Sequence, residues 1–182
     1  MENLREKILK ECKHYSRSET ELLTERSIEA LGKDVHLVIC LEEIAELIEV
    51  IIVNTDNTMD IDAYIHTAEE VADLEIISIM LRKVANIKDN DYEIPSEMKR
   101  DDFIMYLVMA QQEISKYIRY KKQECAEIAY RCMDNVLYRI YDFYHIRAKD
   151  VDKIMDIKFD RFEKRTIEAE ETNKNQNQEE VK

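Results

Sequence analysis

The chain has 182 residues and a formal net charge of −13, with 45% apolar and 37% charged residues. That balance suits a soluble helical bundle and argues against nonspecific nucleic-acid binding or attachment to an anionic membrane, both of which want basic patches. A single glycine (Gly32) and a single proline (Pro95) are too few for a fold of strands and tight hairpins, so an all-α chain is expected.

No uninterrupted apolar run approaches the ~20 residues that a membrane-spanning helix needs. Residues 1–10 are charged and lack an apolar signal core. Cys12, Cys40, Cys125 and Cys132 are scattered without a Cys-x-x-Cys pair, which predicts free thiols and no zinc or disulfide framework. A reducing cytoplasm is the expected setting.

In chain order, residues 2–16 form an amphipathic helical pattern through Leu4, Ile8, Cys12 and Tyr15. Ser18 with Glu21 predicts a capping box for a second short helix ending near Gly32. Asp34 is the expected cap of a helix over 35–53, and a polar turn covers 54–62. A long helix follows over 62–86, then a linker over 89–97 that holds Pro95. Helices over 100–121, 124–145 and 150–166 make up the second half. Val151, Ile154, Ile157, Phe159 and Phe162 are the predicted core contacts of the last helix. Residues 168–182 carry almost no apolar side chain and read as a disordered tail.

Shifting the chain by 63 residues lays the helix of 37–53 on that of 100–116 and 62–86 on 125–149. Ile44 then meets Leu107, Ile51 meets Ile114, Ala63 meets Ala126, and Ile77 meets Ile140. This predicts two tandem repeats, one within 1–88 and a second within 98–167. In that register Glu43, Glu46, Glu70 and Asp73 become Tyr106, Met109, Met133 and Val136. The second copy would thus have lost its acids and filled their place. A shift of 70 for the first helix pairs Glu43 with Glu113 but Glu46 with Lys116, and is equally unfit for a metal.

The acids of the first half carry the chemistry. Twelve lie between Lys33 and Arg82, and no Lys or Arg separates them. Helix faces in water mix signs, because opposite charges four apart help and like charges hurt. Residues three apart share a face, so Glu43 with Glu46, and Glu70 with Asp73, each form a carboxylate pair. If the two helices pack antiparallel, the four converge, at a cost in repulsion that protons or cations must relieve. An all-oxygen set suits Mg²⁺, with Mn²⁺ as the other ion that fits, rather than zinc.

The motif Glu42-Glu43-x-x-Glu46, 23 intervening residues, then Glu70-x-x-Asp73, resembles the MazG-like branch of the all-α nucleoside triphosphate pyrophosphohydrolases. The resemblance runs over about residues 30–167. It includes the stretch 112–119 and the closing Lys158-x-x-Arg161-x-x-x-Arg165, which look like the family's other helices without its acids. It implies a helical pseudo-dimer that hydrolyses a (deoxy)nucleoside triphosphate to the monophosphate and pyrophosphate. Glu43, Glu46, Glu70 and Asp73 would bind Mg²⁺. Glu42 or Glu46 would help to deprotonate the attacking water. Lys83, Lys116 and Arg119 are the candidates for substrate phosphate, and the resemblance allows either a monomeric pseudo-dimer or a homodimer of such chains. The other reading is a catalytically inactive, regulatory or nucleotide-sensing module of the same fold.

Other motifs carry less. Glu11-x-x-His14 and Asp142-x-x-His145 invite comparison with di-iron bundles, but both lie far from the acids. His36 and His66 have no evident partner. Glu42, Glu49, Glu69 and Glu75 read as solvated or as neighbours of the ligands. No glycine-rich phosphate loop or nucleophile elbow is present.

Overall fold

The computed structural model describes residues 13–54, 59–88 and 94–179, and within them the chain is helical, without strands. The elements are α1 (Arg17–Leu31), α2 (Lys33–Val53), α3 (Ile61–Val84), α4 (Arg100–Tyr120), α5 (Gln123–Phe143) and α6 (Ala148–Glu179). The helix anticipated over 2–16 lies mostly outside the described residues. Its last four, Lys13–Ser16, are not helical.

Local chemistry explains the boundaries. The capping box opening α1 uses Ser16 and Glu19, two residues earlier than expected. Glu19 N donates to Ser16 Oγ, and Ser16 N donates to Glu19 Oε2 at 2.8 Å. The earlier start is fixed from outside, because Tyr15 is buried and its N–H donates to Asp156 Oδ1 of α6 at 2.9 Å. Gly32 at φ 91° breaks the chain between α1 and α2 while its N–H still reaches Ile28 O. Asp34 caps nothing. It sits in the first turn of α2 and accepts from Lys121 Nζ at 2.9 Å. Asp60 is a side-chain cap for α3, accepting from Ala63 N at 2.8 Å.

α2 and α3 form a hairpin. Asn54 Nδ2 donates to Thr67 Oγ1 beside the turn, and Cys40 contacts Ile77 O several turns away, so the helices run antiparallel. α4 and α5 form a second hairpin across Lys121 and Lys122. α2 packs antiparallel on α4. Lys121 meets Asp34 at one end, Gln111 Nε2 donates to Leu41 O in the middle, and Arg100 donates to Ile51 O and Ile52 O at the other. The last contact satisfies carbonyls that the C-terminus of α2 would leave unpaired. α3 packs on α5, and α6 lies against α1 and α3.

One apolar core spans both hairpins. In α2 it buries Cys40, Ile44, Leu47 and Ile51; in α4, 63 residues on, it buries Phe103, Leu107, Ala110 and Ile114. Met133 and Val136 are fully enclosed, Tyr106 is half-buried and Met109 is exposed. α6 contributes Val151, Ile154 and Phe159, while Ile157 and Phe162 are only half-buried.

The expected disordered tail is helical through Glu179. Its side chains cannot build a core, but Ala, Glu, Lys and Gln favour helix, and specific anchors on α1 hold it. Arg26 donates a fork to both oxygens of Glu170, at 3.0 and 2.9 Å, and Asn173 Nδ2 donates to Ala30 O at 2.9 Å. No described helix is long and apolar enough to cross a membrane.

Candidate functional site

The antiparallel crossing of α2 and α3 brings the two carboxylate pairs together. One oxygen each from Glu43, Glu46 and Glu70 lie within 4.8 Å of one another. Asp73, one turn from Glu70 on α3, joins the same cleft but is paired with the Lys158 ammonium of α6. Glu70 is buried. His66 Nε2 lies 3.4 Å from its Oε1, whereas its Oε2 has no hydrogen-bond donor among the described residues. A buried, unpartnered carboxylate oxygen is costly unless a charge or proton comes to it.

The cost appears in the proton affinities. Burial, reinforced by the charges of Asp73 and Glu46, pushes the Glu43 carboxyl up to about 7. Burial and then Asp73 push Glu70 up to about 7 as well. Burial also raises Asp73, against the opposing pull of Lys158. A cation among these groups would draw all three back toward the ionised form.

Across a cleft of about 350 Å³ the acids face a row of cations, Lys158, Arg161 and Arg165, on α6. Ile39, Ile77, Met80 and Phe162 supply its apolar wall. The site therefore has an anionic floor and a cationic rim, an arrangement suited to a metal ion carrying an anionic ligand. Glu46 and Glu70 also border a second cleft of about 570 Å³, lined by Glu49, Asn54, Asp60, Asp62 and His66.

The other predicted residues lie elsewhere. Glu42 is exposed and does not line the cleft. Lys83 is bound to Glu21 at 3.1 Å and Glu25 at 2.8 Å on the α1 side of the bundle. Lys116 pairs with Glu113, and Arg119 donates to Ser115 O. None of these three cations lines the acidic cleft. The cations that do were visible in the sequence as the spacing Lys158, Arg161, Arg165 on one amphipathic helix. What the sequence lacked was the packing of that helix on α3.

Glu75 and two histidines differ from the sequence expectation. Glu75 is not solvated: burial raises its carboxyl, and the Tyr141 hydroxyl donates to it. Glu69 lines the acidic cleft. His66 has a partner in Glu70, and His36 is buried between Ser27 Oγ at 3.0 Å and Gly32 O at 2.8 Å. Glu11 lies outside the described residues. His14 binds Asp156 and His145 is exposed, so neither histidine joins the acids. Cys40, Cys125 and Cys132 are free and buried, and Cys12 lies outside the described residues.

No family model matches the chain, and no curated protein or solved structure matches it.

Proposed function

We propose that the chain is a Mg²⁺-dependent nucleoside triphosphate pyrophosphohydrolase of MazG-like type, built as a tandem pseudo-dimer with one working acidic site. The observation that carries the reading is the convergence of Glu43, Glu46 and Glu70 oxygens within 4.8 Å, opposite a row of cations in the same cleft. The residues fit the ion: the donors are all oxygen, Glu70 Oε2 is an enclosed acceptor without a donor, and Asp73 lies alongside. Glu43, Glu46, Glu70 and Asp73 would hold Mg²⁺, with Mn²⁺ as the alternative. The ion supplies neutralisation of carboxylate and phosphate charge and a lowered pKa for water.

The chain's own residues account for the rest. Arg161 and Arg165, with Lys158, bind the polyphosphate and fix its orientation. Phe162 and the aliphatic wall exclude water from one side. Glu46, the exposed member of the cluster, accepts the proton of the attacking water; Glu42, outside the cleft, has no access to it. The water oxygen bonds to the α-phosphorus, and the bond from that phosphorus to the α–β bridging oxygen breaks. Pyrophosphate leaves with that oxygen.

The duplicated architecture is supported by two observations. α2 and α4 pack antiparallel, as equivalent helices related by a pseudo-twofold would. The buried positions of α2 also recur in α4 at the 63-residue shift. On this reading residues 1–88 carry the site, 89–97 connect, and 98–167 are a copy whose Met133 and Val136 fill the core. Homodimerisation belongs to the same proposal and would be read by sedimentation.

A second reading, a nucleotide-sensing module without turnover, is favoured by one feature: Lys158 already neutralises Asp73 from within the chain. Pyrophosphate release from a panel of canonical and modified nucleoside triphosphates, with and without Mg²⁺, separates the two. Metal-dependent release with a matching monophosphate establishes the enzyme. Nucleotide binding by calorimetry without release establishes the sensor, and absence of both release and binding overturns both readings.

A further inference from the structure

We infer that Lys158 is the resident counter-cation of the acidic site, held on Asp73 in the metal-free protein and displaced from it when a divalent ion binds. The inference rests on the metal-site reading above and adds to it a competitor supplied by the chain itself.

The four acids are not equivalent. Glu43, Glu46 and Glu70 turn oxygens toward one another, whereas Asp73 pairs with the Lys158 ammonium. That pair is largely enclosed, with side-chain exposures of 15% for Asp73 and 24% for Lys158. Screening by water is correspondingly weak. Asp73 cannot face an ion shared with the other three while Lys158 stays beside it, because two cations would then lie within a few ångströms in a poorly screened cleft. The unpartnered Glu70 Oε2 shows that Lys158 does not serve the whole cluster. One ammonium satisfies Asp73 and leaves an enclosed acceptor one turn away without a donor, which points to a further ligand.

Displacement needs only a side-chain movement. A lysine carries its charge on a flexible four-carbon stem. The backbone of α6 is fixed independently, by Val151, Ile154 and Phe159 in the core and by a strap from the N-terminal segment. In that strap Tyr15 N donates to Asp156, the Tyr15 hydroxyl donates to Glu163 at 2.9 Å, and His14 Nδ1 lies 3.1 Å from Asp156 Oδ2. Released from Asp73, the ammonium stays in a cleft with Arg161 and Arg165, where an anionic ligand is its natural partner.

The test is a Mn²⁺ titration by calorimetry at pH 8 on the full chain and on Lys158→Gln, with melting followed by circular dichroism. Lys158→Gln is expected to bind Mn²⁺ at least about tenfold more tightly than wild type, because no ion pair must break and the acids keep a stronger field. It is also expected to melt at a lower temperature without metal. Wild-type protein supplies an independent measurement that needs no variant. Acetylation of Lys158, followed by mass spectrometry, should run several times faster with saturating Mg²⁺ than without it. Equal or weaker Mn²⁺ binding by folded Lys158→Gln overturns the inference, as does an unchanged acetylation rate on protein shown to hold the ion. Failure of the wild type to bind Mn²⁺ at all is a different result, and it overturns the metal-site reading together with this one.

Discussion

Glu70→Gln should stabilise the metal-free protein at pH 8, although it removes a residue at the centre of the proposed site. Glu70 is buried, its Oε2 lacks a donor, and its carboxyl is raised from 4.5 to about 7. The folded state therefore binds this proton more tightly than the unfolded chain does. Between pH 4.5 and about 7 the native protein holds more protons, so stability falls as pH rises through that window and stays low above it. At roughly 1.36 kcal/mol per pH unit the rise is worth about 3 kcal/mol. Because part of that rise comes from the neighbouring charges of Asp73, Glu46 and Glu43 rather than from burial, about 2 kcal/mol is the expected share of Glu70 alone. Urea unfolding in EDTA at pH 5 and pH 8 measures it. Wild type should lose about 2 kcal/mol more than Glu70→Gln between the two. Millimolar Mg²⁺ should recover that loss in wild type and do little for the variant. Parallel pH profiles, or a variant less stable than wild type at pH 8, would refute the reasoning.

Four further outcomes follow from the structure. Glu46→Gln and Asp73→Asn should abolish pyrophosphate release while leaving the far-ultraviolet circular dichroism of wild type, so retained turnover in either removes the metal-site model. Arg161→Ala should raise KM for a nucleoside triphosphate about tenfold, the loss of one charge-assisted contact. Lys83→Ala, Lys116→Ala and Arg119→Ala should stay near wild type, since these side chains are engaged elsewhere. Arg26→Ala should speed hydrogen exchange in the amides of 168–179, where the Arg26–Glu170 fork and the Asn173 contact are the anchors, and change global stability by less than about 1 kcal/mol.

The acidic half of the site was legible because its signal is local. Glu43 with Glu46, and Glu70 with Asp73, share a helical face by spacing alone, and a hairpin of two apolar helices has one way to bury itself. The helices were legible for the same reason, since one glycine and one proline left little else. Boundaries failed where a distant residue decides them. α1 starts at Arg17 rather than beyond Ser18 because Asp156, 141 residues away, holds Tyr15 N. The tail is helical because Arg26 and Ala30 of α1 hold Glu170 and Asn173. Glu75 read as solvated or as a neighbour of the ligands because its partner, Tyr141, belongs to another helix.

The cation row failed for a deeper version of that reason, and the failure is informative. Between Lys33 and Arg82 the chain carries twelve acids and no lysine or arginine, so no such cation lies close in sequence to Glu43, Glu46, Glu70 and Asp73. Neutralisation must come from another segment or from solution. The structure supplies part of it from α6, on Asp73, and leaves Glu70 Oε2 unserved. Burial first, and then the charges of Asp73 and Glu46, raise the proton affinities of Glu43 and Glu70, and the cation from α6 does not reverse it. The hairpin is thus more favourable with α6 docked than without it, and more favourable still with a further positive charge. On the proposed metal-site reading, folding of α6 onto α3 and occupancy of the acidic cleft would depend on one electrostatic balance, with Lys158 on both sides of it.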